Sequence, residues 1–124
     1  MLIASLVFVT GAILIHIYIW VLETFLWDQP KGMKVFGSTP ERAAITKEMA
    51  VNQGLYNLML ALVAAVGAGA TVAGASWGPA LIFAGAGSMA VAGIFLFLTS
   101  PDKRKPALIQ LVPPLLGVLL LAVA

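Results

Sequence analysis

The sequence predicts an all-α integral membrane protein: a single four-helix, four-span bundle over residues 1–124, up-down in topology, with both termini on the non-cytoplasmic side. Three observations carry this. Of the 124 residues 61% are hydrophobic and 10% charged, whereas a soluble domain is nearer half apolar and a quarter charged. The mean hydropathy is +1.04, and runs long enough to cross about 30 Å of hydrocarbon recur along the chain. All seven Lys and Arg fall in two of the connecting segments. At 12.9 kDa the chain has no room for a large extramembrane domain.

The first span is expected over residues 2–27, an apolar run interrupted by His16 and Glu23 and closed by the interfacial aromatics Trp20 and Trp27. Its start has no basic leader and no clear cleavage site, so it reads as a retained helix. Residues 28–48 form a loop on the cytoplasmic side, where Pro30, Gly32 and Gly37 discourage helix and the lysines stay near headgroups. Within that segment Thr39-Pro40-Glu41 supplies a capping hydroxyl, a proline at the first helical position and an acid in the first turn. A helix from Pro40 to about Val72 would be roughly 50 Å long, so its first turns lie outside the hydrocarbon and residues 49–72 are the second span.

Gly74, Ser76, Gly78 and Pro79 make a short turn beside Trp77, and residues 79–99 are the third span, with no charge in it. Residues 100–106 are a polar loop between prolines. Residues 107–124 are the fourth span, with Pro113 and Pro114 placed to kink it. Lys31, Lys34, Arg42 and Lys47 follow the first span, Lys103, Arg104 and Lys105 follow the third, and the remaining connection has no basic residue. The positive-inside rule makes the basic side cytoplasmic and places the protein in a bacterial cytoplasmic (inner) membrane.

Composition also excludes chemistry. No cysteine means no disulfide, iron–sulfur cluster or thiol nucleophile, and one histidine excludes a multi-histidine site within one copy. No metal and no cofactor is expected. The pI of about 9.2 is not a nucleic-acid signature, because no basic-aromatic surface accompanies it. The expected partners are the lipid bilayer, a small amphiphilic or lipid ligand and further copies of the chain.

An ionisable group in hydrocarbon costs about 2.5 to 3.5 kcal/mol, so each one needs a partner or a purpose. His16 and Glu23 are two helical turns apart and share a face, with Trp20 on the same stripe. Glu48, Asn52 and Tyr56 recur at four-residue spacing, with Gln53 and Asn57 forming a second row. Antiparallel packing of the first two spans would bring Glu23 within reach of Asn52, Gln53 or Tyr56. The candidate ligand-binding or proton-linked residues are therefore His16, Trp20, Glu23, Asn52, Gln53 and Tyr56. Asn57 and Gln110 read as packing glue. Small-residue ridges are expected at Ala61, Ala65, Gly69 and Ala73 on the second span, and at Gly85, Met89 and Gly93, with Ala84, Ser88 and Ala92, on the third.

His16, Tyr18, Glu23 and Trp27, then Phe36, then the string Asn52-Gln53-Gly54-Leu55-Tyr56-Asn57 resemble a family of small bacterial and fungal membrane proteins catalogued as domain of unknown function 1304. The resemblance covers essentially the whole chain, and its most specific part is the NQGLYN string. It implies a four-span membrane protein and carries no established activity. A looser similarity to the small multidrug-resistance transporters, also four-helix proteins with a glutamate in the first span, is an analogy only.

Three functions are consistent with these residues. The first is a proton-linked carrier or binder of a small amphiphilic compound, working as a homo-oligomer because four helices enclose little volume. The second is an accessory or structural membrane subunit. The third is a membrane-embedded enzyme doing acid–base chemistry on a lipophilic substrate.

Overall fold

The computed structural model describes residues 1–124, which form five α-helices and no strand. They are α1 (Leu2–Phe25), α2 (Pro30–Phe36), α3 (Pro40–Val72), α4 (Gly78–Thr99) and, after a 3-10 turn at Pro101–Lys103, α5 (Arg104–Ala122). Four of these stretches, α1, α3, α4 and the 3-10 turn with α5, are long and apolar enough to cross a membrane.

Local chemistry sets most of the ends. The Thr39 hydroxyl accepts the backbone N–H of Arg42 at 3.3 Å, Pro40 occupies the first turn, and α3 then runs the full 33 residues expected of it. The segment after α1 differs from expectation, because α2 forms where a loop was predicted. Two of the three breakers sit at its ends: Pro30 opens the helix, where a missing N–H costs nothing, and Gly37 closes it in a left-handed conformation with φ +62°, while Gly32 lies inside it against the Leu26 carbonyl. Similarly α5 starts at Arg104 rather than Ala107, since Pro106 falls in the first turn. It continues through Pro113 and Pro114, which leave the carbonyls of Ile109 and Gln110 without helical donors.

The four long helices close into a ring in which α1 packs on α3 and α5, and α4 packs on the same two helices from the opposite side. The Ser5 hydroxyl donates to the Gly117 carbonyl at 2.7 Å and ties α1 to α5. Arg104 donates to the Phe97 carbonyl at 3.4 Å and lies over the Phe97 ring, fixing the corner between α4 and α5.

The core mixes alanines with a few larger side chains, and many large apolar side chains face outward. The shared core is Val9, Ala12, Ala61, Ala64, Ile82, Ala86, Met89 and Leu121, while Leu62, Val66, Val91, Phe95 and Leu98 are exposed. Such a surface is at home in lipid, where helix association depends on close packing rather than on removing apolar area from water.

The ridges are partly as expected. Gly85, Met89 and Gly93 are buried on α4, whereas Ala84, Ser88 and Ala92 face outward. On α3 the buried row is Ala61, Ala64, Gly67 and Ala70; Ala65, Gly69 and Ala73 are exposed, a correction to the expected ridge. Both rows are small, so size alone did not distinguish the face that α4 covers from the one beside it.

Gly85 marks the tightest part of the α3–α4 seam. A Cβ there would come 2.7 Å from the Ala64 backbone nitrogen and 3.0 Å from the Leu60 carbonyl, and neither backbone atom can rotate away. Gly87, two residues on, has nothing within 4 Å of the same position. Gly85→Ala should therefore destabilise the bundle by about 1–3 kcal/mol. Gly87→Ala should be neutral or stabilising by up to about 1 kcal/mol. Melting midpoints of both variants in the same lipid bilayer check this pair.

Candidate functional site

Glu23 is the acidic side chain buried within the bundle, 6% exposed. Its position follows from the inner stripe of α1, where Ser5, Val9, Ala12, His16 and Glu23 recur at helical spacing and face the other helices. One carboxylate oxygen, Oε1, accepts from the Asn57 amide nitrogen at 2.7 Å. The same nitrogen lies 3.2 Å from the Gln53 backbone carbonyl, which orients the amide. The second carboxylate oxygen makes no hydrogen bond within the chain, and no Lys or Arg pairs with this acid.

Gly54 makes the contact possible. A Cβ on it would stand 2.6 Å from the Thr24 hydroxyl and 3.3 Å from the Glu23 Cβ, so only a bare Cα lets α3 close on α1 at this level. The Thr24 hydroxyl oxygen is itself buried without a partner. A donor amide, a carboxylate with one free oxygen and an unpaired hydroxyl therefore meet on one helix seam.

His16 lies two turns deeper on the same stripe, about 10 Å along the axis, and is 1% exposed. Its Nδ1 is 2.9 Å from the Ala12 carbonyl. A carbonyl can only accept, so Nδ1 carries the hydrogen and Nε2 of the neutral ring is left as the acceptor. Trp20 is half-buried and packs edge-on against Phe25, ring centroids 5.8 Å apart.

The other three candidates lie elsewhere. Asn52, Gln53 and Tyr56 are exposed on the outer side of α3, Tyr56 to 66%, and none bonds to Glu23. Asn52 lines a shallow surface groove with Ile45, Glu48, Met49, Val51 and Leu55 instead. The expected convergence of these side chains on Glu23 is thus corrected to a single partner, Asn57, a residue read as glue. The missed signal was Gly54. A glycine inside a polar helical string marks the face that another helix approaches, and Asn57, three residues on, shares that face.

At the end of the bundle beyond this site, two further links hold α1, α2 and α3 together. The Trp27 indole N–H donates to the Thr46 hydroxyl at 3.0 Å, and its ring packs on Phe36 with centroids 5.1 Å apart. Lys47 forms an ion pair with Asp28 at 2.8 Å, whose hydrogen bond holds the Asp28 carboxyl below its ordinary range. The pair is solvent-exposed and its contribution to stability is small.

The family described as protein of unknown function (DUF1304) matches residues 10–122, nearly the whole chain. No curated protein matches the chain, and no solved structure does.

Two outcomes follow from this geometry. Gly54→Ala should lower the melting midpoint by crowding Thr24 and Glu23, and adding Thr24→Ala should recover part of the loss by removing the colliding oxygen; an uncrowded seam would give no loss and no recovery. For Asp28, a depressed folded-state pKa means that its pairing stabilises the fold above the ordinary aspartate range and ceases to do so as pH falls through the lowered value. Lys47→Ala should move the Asp28 midpoint up towards the ordinary aspartate range, read by carboxyl NMR titration.

Proposed function

The chain belongs to the DUF1304 family, and from that premise we propose that it binds or carries a small amphiphilic compound across a membrane, with Glu23 as the group that exchanges proton for ligand. The observation that carries this reading is the Glu23 carboxyl: buried between membrane-length helices, held through one oxygen by a neutral amide, and with its other oxygen unclaimed. An ionisable group so placed is costly, and intramembrane carboxyls of this kind serve ion and substrate pathways. In this reading Asn57 orients the carboxyl, Trp20 flanks it, and His16 offers a second proton-accepting nitrogen deeper along α1.

The same proposal orients the chain. Four alternating spans put the basic segments around Lys31 and around Lys103 on one side, and the excess of Lys and Arg makes that side cytoplasmic, with both termini opposite in a bacterial inner membrane. Glu23 then opens towards the cytoplasmic face.

A second reading, an accessory or self-associating subunit, is favoured by one observation. Asn52, Gln53 and Tyr56 are exposed on α3 without side-chain hydrogen bonds to the rest of the chain, as polar groups awaiting another membrane helix would be.

Proteoliposomes loaded with a pH dye and challenged with a panel of lipophilic amines test the first reading. Substrate-dependent proton flux should be present in wild type, lost in Glu23→Gln and reduced in Asn57→Ala. Flux of wild-type size in a folded Glu23→Gln protein would remove the carboxyl from the mechanism. Loss of oligomer in Asn52→Leu with flux absent throughout would favour the subunit.

A further inference from the structure

Tyr18 and Phe36 belong to the pattern that marks this chain, yet neither touches the Glu23 site. Both bear on α2. The Trp27–Phe36 packing clamps α2 to the end of α1, and buried Gly32 lies so close to the Leu26 carbonyl that no side chain fits there. Seated in this way, α2 places the Lys31 ammonium 5.4 Å from the centre of the Tyr18 ring, beside the last two turns of α1 rather than extended away from the bundle.

Neither Lys31 nor Lys34 has a carboxylate partner, and the acid nearest in sequence, Asp28, is taken by Lys47. Both lysines are exposed. From that level down α1, the exposed residues Tyr18, Leu14 and Val7 stand at spacings of four and seven, which is one continuous outward stripe. An unpaired ammonium pair thus stands at the head of an apolar strip along a membrane-length helix.

We propose that this flank is a specific site for an anionic phospholipid of the surrounding bilayer. Its phosphate is held by Lys31 and Lys34, and its acyl chain lies along Tyr18, Leu14 and Val7. Charge complementarity selects the headgroup, since the flank is cationic and Asp28, the acid nearest in sequence, is paired with Lys47. The Tyr18 ring holds the Lys31 ammonium in place by cation–π attraction, which lowers the ordering cost when the phosphate arrives. The site is on the outer side of α1 and does not depend on the role given to Glu23.

Native mass spectrometry of the full chain, released from detergent with equimolar phosphatidylglycerol and phosphatidylcholine of matched chains, tests it. Wild type should retain phosphatidylglycerol over phosphatidylcholine. Lys31→Gln with Lys34→Gln should lose that preference by roughly 25-fold, taking about five-fold per lysine near a lipid surface. Lys103→Gln with Lys105→Gln removes equal charge from the same end and should keep it. Tyr18→Leu, which leaves the charge untouched, should weaken it. The proposal is overturned by absence of preference in wild type, or by equal loss in both double variants, which would mean general charge rather than a site. Retention in the Lys31/Lys34 variant would overturn it as well. Glycerol phosphate should not compete at the concentrations where the lipid saturates; displacement by it would assign the lysines to a free anion and overturn the phospholipid.

Discussion

A lipid bilayer gives apolar helices no hydrophobic reason to associate, because hydrocarbon solvates leucine as well as another helix does. Everything in this bundle depends on that constraint. The helices adhere where small residues let backbones approach, so alanine and glycine recur in the seams beside a few larger side chains such as Ile82 and Met89, while many large side chains face outward. Close approach then decides which polar groups can meet. At Gly54 the α1–α3 seam is tight enough for a short carboxylate and a short amide to share a 2.7 Å hydrogen bond. A seam wider by a methyl group would leave both without each other.

Apart from the Thr24 hydroxyl, which has no partner, the buried polar side chains along the bundle are handled by short-range means. Ser5 bonds a carbonyl of α5, His16 bonds a carbonyl of its own helix, and Glu23 bonds an amide of α3. Of the three, Glu23 is the one acid, and one of its two carboxyl oxygens has no partner within the chain, so the functional reading centres on it. The cationic end and α2 form a separate layer. They are held to the bundle by Trp27, Phe36 and the Asp28–Lys47 pair.

Much of this was legible in the residues. The start of α3 was readable because Thr39, Pro40 and Glu41 each favour a helix start for an independent physical reason, and the row Gly85, Met89, Gly93 was readable from spacing. Facing was harder. Four-residue spacing says that Glu48, Asn52 and Tyr56 share a side of α3, but not whether that side meets α1, α4 or lipid. A rotation of one residue, about 100°, moved the true partner from Asn52 to the neighbouring row and Asn57. The same rotation separates Ala65 from the buried Ala64. On α2 the error had another source: proline and glycine were read as breakers of a segment when Pro30 and Gly37 are its ends.

The central claim is that the tight α1–α3 seam couples Glu23 to Asn57. A double-mutant cycle with Glu23→Ala, Asn57→Ala and the double variant, read as unfolding free energies in bilayers, tests it most directly. The account predicts a coupling of about 0.5–1.5 kcal/mol, with the double variant destabilised by less than the sum of the single ones. Additive losses would mean that the two side chains are neighbours without an interaction, and the seam would then have no bearing on the carboxyl.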